Sequence, residues 1–204
     1  MNPFDDEVFH AINQYAGHTP GLDQFMYFIA QYSLELYALL FIIAWFALPR
    51  REEARRHALV VSVAGGVIAL IINLIIGTIW YRPRPFVAMP HQVNHIAPHA
   101  DDASFPSDHT SGAFGFTSGS FGKASRWVSW TFLILAILVM IARVYVGDHW
   151  PTDVLASVVV GTVSGRVAWL FDRPLAVVSR LLMRIFRQGR FSRSGRSLHY
   201  SNRY

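Results

Sequence analysis

Ser107-Asp-His-Thr-Ser-Gly-Ala-Phe-Gly-Phe-Thr-Ser-Gly-Ser-Phe121 contains no Lys, Arg or Glu and no long apolar run. Whether this stretch crosses a membrane decides the fold. Around it stand four segments nearly free of charge, residues 27–48, 58–80, 127–142 and 154–171. Each is close to the roughly 20 residues that a bilayer-crossing helix needs. The chain of 204 residues is 52% apolar and only 15% charged, whereas soluble domains carry about 25% charged residues. It reads as an all-α integral membrane protein.

The distribution of charge gives a direction. Arg50, Arg51, Arg55 and Arg56 lie between the first two apolar segments, Lys123 and Arg126 precede the third, and nine arginines from Arg166 to Arg203 close or follow the fourth. Before residue 27 there is no Lys or Arg, only Asp5, Asp6, Glu7 and Asp23. The positive-inside rule then puts the N-terminus outside and the C-terminus in the cytoplasm. That needs an odd number of crossings, and residues 107–121 supply the fifth. Its small residues suit a central helix packed against neighbours and shielded from lipid. The loop 81–106 and the turn around Asp148 then share the outer face.

Residues 1–7 are acidic and lack the pattern of a cleavable signal peptide, so the first span would direct insertion. With no cysteine, disulfides and thiolate chemistry are excluded. Phe4, Val8, Ile12 and Tyr15 recur at helical spacing and predict a short interfacial helix. Residues 1–172 read as the membrane domain. Residues 173–204 read as a basic amphipathic helix on cytoplasmic headgroups, followed from Gln188 by a disordered tail. Beside a membrane bundle this basic segment reads as an anchor, with no nucleic-acid partner.

Polar residues next to such spans are costly and point to a site. In Arg143-Val-Tyr-Val-Gly-Asp-His149-Trp-Pro-Thr-Asp153, Pro151 suits the first position of a helix. His149 then sits at its lip, with Asp153 four residues on. A carboxylate there can accept from one imidazole nitrogen and leave the other free to attack phosphorus. In Pro106-Ser107-Asp108-His109, Ser107 is a natural N-cap whose following amides can bind an anion, and His109 can protonate a leaving oxygen. Arg84 and Arg143 can grip phosphate in a bidentate fork. His91, His95 and His99 are spaced by four, but Pro90 and Pro98 argue against one helix, and no metal site is expected.

The pattern Arg-Pro, Pro-Ser-x-His and Arg-x5-His-x3-Asp resembles the type 2 phosphatidic acid phosphatase (PAP2) superfamily, which also includes the soluble vanadium haloperoxidases. Tyr81-Arg-Pro-Arg-Pro-Phe-Val and Pro98-His-Ala-Asp-Asp-Ala-Ser-Phe-Pro-Ser-Asp-His109 are similar to its bacitracin-resistance branch, the undecaprenyl-diphosphate phosphatases. The likeness extends over about residues 4–172. It implies a PAP2-type bundle of about five transmembrane helices, with His149 as nucleophile, Asp153 as its orienting partner and His109 as acid and then base. Arg84, Ser107 and Arg143 would hold the phosphoryl oxygens, without a metal or cofactor. The superfamily's first motif usually carries a Lys seven residues before its Arg; here that position is Gly77. Arg82 is the expected substitute. Asp108, where the superfamily commonly has Gly, adds a negative charge beside the phosphate. Glu35, a carboxylate inside the first span, is expected to face the site and tune a histidine or the diphosphate.

These readings converge on a bacterial cell-membrane phosphatase that converts undecaprenyl diphosphate to undecaprenyl phosphate and inorganic phosphate on the extracytoplasmic face. Such an enzyme would recycle the carrier lipid of peptidoglycan synthesis and confer bacitracin resistance. The alternatives are another lipid phosphate as substrate, such as phosphatidylglycerophosphate or phosphatidic acid, or a non-catalytic lipid transporter.

Overall fold

The computed structural model describes residues 2–192. They form helices α1 (Pro3–Asn13), α2 (Pro20–Gln31), α3 (Ser33–Ala47), α4 (Glu53–Ile79), α5 (Pro85–Ala88), α6 (Asp108–Ser120), α7 (Arg126–Tyr145), α8 (Pro151–Val167) and α9 (Asp172–Ile185), with single 3-10 turns at Ala168–Phe171 and Gly189–Phe191. There is no strand among the described residues. The fold is all-helical, with α6 at its centre against α4, α7 and α8.

Glycine explains that position. A Cβ on Gly65 of α4 would lie 2.7 Å from the Gly115 carbonyl oxygen of α6 and 2.8 Å from Gly165 Cα of α8. The three backbones therefore touch, as small residues permit in membrane bundles. The hydroxyls of α6 are satisfied within this contact: Thr117 donates to the Ala113 carbonyl at 2.9 Å and Ser118 to the Thr162 carbonyl of α8 at 2.8 Å. On α7 the buried face is Val128, Phe132, Leu135, Val139 and Ala142, a stripe of helical period.

Among the described residues three helical segments are long and apolar enough to cross a membrane: Glu53–Ile79, Arg126–Tyr145 and Pro151–Phe191. The single span expected over residues 27–48 is a broken one. α2 and α3 meet at 72°, with Tyr32 between them at φ −107° and ψ 22°, and the pair makes a fourth crossing if taken together. The expected fifth, α6, has 13 residues. At 1.5 Å per residue it is about 20 Å long, less than the roughly 30 Å hydrocarbon layer, and its neighbours shield it.

The ends differ from expectation. The face of α1 that packs inward is Asp5, Phe9 and Asn13, while Phe4 and Tyr15 are exposed. Phe9 packs against Trp150 at 5.4 Å with the rings tilted by 51°, so α1 caps the bundle rather than only resting on lipid. α9 is pinned to α4 through His57, whose ring nitrogens lie 2.7 Å from Ser179 Oγ and 2.9 Å from Asp172 Oδ1. The chain is also ordered past Gln188: Gly189 N–H donates to the Arg50 carbonyl at 2.7 Å and Arg190 pairs with Glu53 at 2.9 Å. The remainder of the expected disordered tail, residues 193–204, lies outside the described residues.

Candidate active site

Residues 146–150 turn the chain from α7 into α8. Gly147 takes φ +90°, and a Cβ there would stand 2.8 Å from Val93 Cγ1. Only glycine combines that backbone with such a close approach to the 81–106 loop. Pro151 opens α8 and leaves His149 just before it, 2% exposed.

His149 Nδ1 donates to the Ser104 carbonyl at 2.7 Å. The Nε2 atom therefore carries the lone pair. Arg84 Nη1 at 3.2 Å and Arg143 Nη2 at 3.4 Å both donate toward it. Burial, then the charges of Arg143 and Arg84, push the His149 pKa well below the ordinary histidine value, which keeps the ring neutral and nucleophilic. A phosphoryl group brought to Nε2 would meet both guanidiniums.

The sequence pattern has Asp153 accepting a hydrogen bond from the imidazole, but it lies 4.0 Å from His149 Nδ1. Its Oδ2 accepts instead from Ser104 Oγ and, at 3.0 Å, from the Trp150 amide. The carboxylate thus acts on His149 through Ser104: it fixes the residue whose carbonyl fixes the ring. Arg82 also departs from expectation. It donates to Asp153 Oδ1 at 2.5 Å, to Thr152 Oγ1 at 2.8 Å and to Asp5 Oδ2 at 2.6 Å. Held between two fully buried carboxylates, its guanidinium is not available as the missing phosphate-binding lysine. Asp5 also accepts from the Thr152 amide and hydroxyl, each at 2.8 Å. Burial raises the Asp5 pKa, but the bonds from Arg82 and Thr152 outweigh it and hold the carboxyl below its usual range.

Arg84 is buried, and its Nε donates to Asp102 Oδ1 at 2.8 Å. His99 lies beside the same carboxylate at 3.7 Å; burial and then the Arg84 charge lower its pKa. Ser107 precedes α6, but its hydroxyl makes no cap bond and accepts from Thr110 Oγ1 at 3.2 Å, while its amide donates to Ser157 Oγ at 2.8 Å. Asp108 accepts from Asn73 Nδ2 at 2.9 Å, which turns its charge toward α4. His109 follows in the first turn of α6, half-buried. Glu35 is not brought to the site. The break at Tyr32 puts it in the exposed first turn of α3, where a helix N-terminus favours a carboxylate.

Ser104, Asp102, Asp5, Asn73, His95 and Asp148 receive no role at the phosphate site from the sequence. Ser104 and Asp102 lie inside the quoted 98–109 stretch, which was the available signal. Asp5 had none, being separated from Thr152 by 147 positions. Among the described residues no group of three or more His, Cys, Asp or Glu side chains converges as metal ligands.

A groove of about 400 Å³ runs from Asp108 and His109 between α3, α4 and α6, with Leu34, Tyr37, Leu70 and Phe116 in its walls. Leu34 and Leu70 are exposed on the bundle's outer surface. The groove is therefore an apolar slot that ends at a histidine.

The chain is similar to known proteins in sequence and in fold. The undecaprenyl-diphosphatase BcrC of Bacillus subtilis (strain 168) is 37% identical over 180 residues, covering 88% of this chain and 90% of its own length. The bacitracin transport permease protein BcrC of Bacillus licheniformis is 31% identical over 86% of this chain and 84% of its own. The crystal structure of Aquifex aeolicus LpxE shares the fold, with a TM-score of 0.66 and 23% identity over 83% of this chain and 99% of its own. Residues 57–175, which include His109, Arg143, His149 and Asp153, match the family pattern, and the chain belongs to the PAP2 superfamily.

Proposed function

We propose that this protein is an integral-membrane phosphatase that hydrolyses undecaprenyl diphosphate to undecaprenyl phosphate and inorganic phosphate. The observation that carries the reading is the His149 Nε2 lone pair, faced by two guanidiniums within 3.4 Å; beside it stands His109, which lines one end of the apolar groove. The name of the B. subtilis relative, an undecaprenyl-diphosphatase, supports a polyprenyl diphosphate over other lipid phosphates. The tail would lie in the groove and the headgroup would reach the arginines.

In the first half-reaction the Nε2 lone pair attacks the terminal phosphorus in line with the bridging oxygen. The P–O bond breaks, and its electrons go to that oxygen as His109 delivers a proton to it. Arg84 and Arg143 neutralise charge on the non-bridging oxygens, the main task of a phosphoryl-transfer site. In the second half His109 takes a proton from water, the water oxygen attacks the phosphohistidine, and the P–N electrons return to Nε2 as phosphate leaves. No step requires a metal. Ser104 and Asp153 keep the imidazole oriented throughout.

The distribution of Lys and Arg supports an N-terminus outside the cell, a cytoplasmic C-terminus and an extracytoplasmic site in the bacterial cell membrane. Recycling of a cell-wall carrier lipid and bacitracin resistance would follow.

The test is phosphate release from undecaprenyl diphosphate by purified protein with EDTA present, beside phosphatidylglycerophosphate and phosphatidic acid. Wild type is expected to prefer the diphosphate. His149→Ala is expected to lose at least about 1,000-fold in turnover, the scale typical of a removed nucleophile. Equal release by both proteins would refute the mechanism. Preference for a monophosphate would refute the substrate, and lipid transport indifferent to His149→Ala would point to a carrier.

A further inference from the structure

Asp148 precedes the nucleophile and is fully buried, yet the reaction above gives it no task. Its backbone carbonyl accepts from Arg84 Nη1 at 3.0 Å. Its Oδ2 lies 3.0 Å from Arg143 Nη2, an ion pair rather than an aligned hydrogen bond. One residue therefore touches both guanidiniums that face His149 Nε2. Its Oδ1 lies 3.0 Å from His95 Nε2, and the His95 ring stacks on Phe86 at 4.1 Å with 12° between the planes. Phe86 belongs to α5, which begins immediately after Arg84. The chain Arg143–Asp148–His95–Phe86 thus closes back on the segment that carries Arg84.

Arg143 needs such a partner. Its side chain is 2% exposed, and among the described residues its partners apart from Asp148 and His149 reduce to the Ala30 carbonyl, a weak 3.3 Å contact, with none for its Nε. A buried guanidinium without a carboxylate would swing toward water or toward any available acceptor. Hydrogen bonds to backbone carbonyls hold the turn beneath: Ile96 N–H donates to the Val146 carbonyl at 3.3 Å, and the Asn13 side chain bridges the Asn94 and Tyr145 carbonyls from Nδ2 at 3.0 and 2.8 Å.

We propose that Asp148, clamped by His95, is a positioning residue that sets Arg143 and Arg84 at the spacing the transferring phosphoryl group requires. The proposal rests on the phosphatase reading for its kinetic consequence, but not for its binding consequence. Orthovanadate, a small phosphoryl mimic, probes the two arginines and His149 without any lipid.

The experiment measures orthovanadate affinity, kcat and KM on undecaprenyl diphosphate, and thermal unfolding for Asp148→Asn, His95→Ala and His95→Gln in detergent. Misplacing a binding group by about 1 Å can cost on the order of 100-fold. Asp148→Asn is expected to lose about 10- to 100-fold in vanadate affinity and kcat on that scale, with KM changing far less. His95→Ala follows in the same direction with a smaller loss, and His95→Gln, which can still donate to Oδ1, recovers most of it. His95 is 24% exposed, so its variants test the proposal even if Asp148→Asn does not fold. Vanadate affinity and kcat at wild-type level in His95→Ala would overturn it, as would a fall in melting temperature with both unchanged. A wild type that binds vanadate but hydrolyses no lipid diphosphate would overturn the substrate reading and leave this one standing on affinity alone.

Discussion

At the residue scale, the arginines around the site divide their labour by partner. Arg84 and Arg143 point at His149 Nε2, whereas Arg82 lies between Asp5 and Asp153. Removing Arg82 leaves two buried carboxylates without their cation, which costs about 3 kcal/mol or more. Arg82→Ala should therefore lower the melting temperature sharply, and Arg84→Ala should chiefly lower turnover. Thermal unfolding beside phosphate release separates the two, and a fully stable Arg82→Ala protein would contradict the bracket. Residue chemistry in the sequence was sufficient to select His149, His109, Arg84 and Arg143 as candidates. It could not assign the imidazole's partner, because a backbone carbonyl such as Ser104 has no signature in a side-chain pattern.

At the element scale, α6 presents two kinds of glycine to its neighbours. Gly115 lies against backbone: a Cβ there would sit 2.6 Å from the Gly65 carbonyl oxygen, so a larger residue must push α4 away. Gly112 lines the groove, and a Cβ there meets only Leu70 Cδ2 at 3.8 Å. Gly115→Leu should fail to assemble, since overpacking of this kind costs at least about 1–3 kcal/mol. Gly112→Leu should fold and narrow the slot. Its KM for undecaprenyl diphosphate is expected to rise about tenfold, the worth of one or two methylenes lost from an apolar pocket, with inorganic pyrophosphate, which has no tail, much less affected. Equal effects on both substrates would exclude the groove as the tail's seat. The small-residue composition of 107–121 made a buried helix legible, but not which glycine served packing and which served the slot. The bend between α2 and α3 was not legible either, because the apolar run continues through Tyr32 and hydropathy does not register a change of direction.

At the scale of the whole molecule, the site lies where loop 81–106 and turn 146–150 meet, and α9 with the 188–192 segment packs on the Arg50–Glu53 end of α4. With no native cysteine, orientation is directly testable. A cysteine at Gln92, in the exposed part of the 81–106 loop, should react with a membrane-impermeant maleimide in intact cells, and one at Arg51 only after permeabilisation. The reverse pattern would invert the topology. Apolar length and the asymmetry of Lys and Arg are properties of the chain itself, so the sequence alone determined a helical membrane protein and the residues able to do phosphoryl chemistry. Partners are properties of packing. Asp5 meets Thr152 across 147 positions, and Ser104 meets His149 across 45. Only the tertiary structure decided that Arg82 braces carboxylates, that Glu35 stays away from the site, and that Ser104 and Asp148 surround His149, because each depends on the distance between segments that no local pattern encodes.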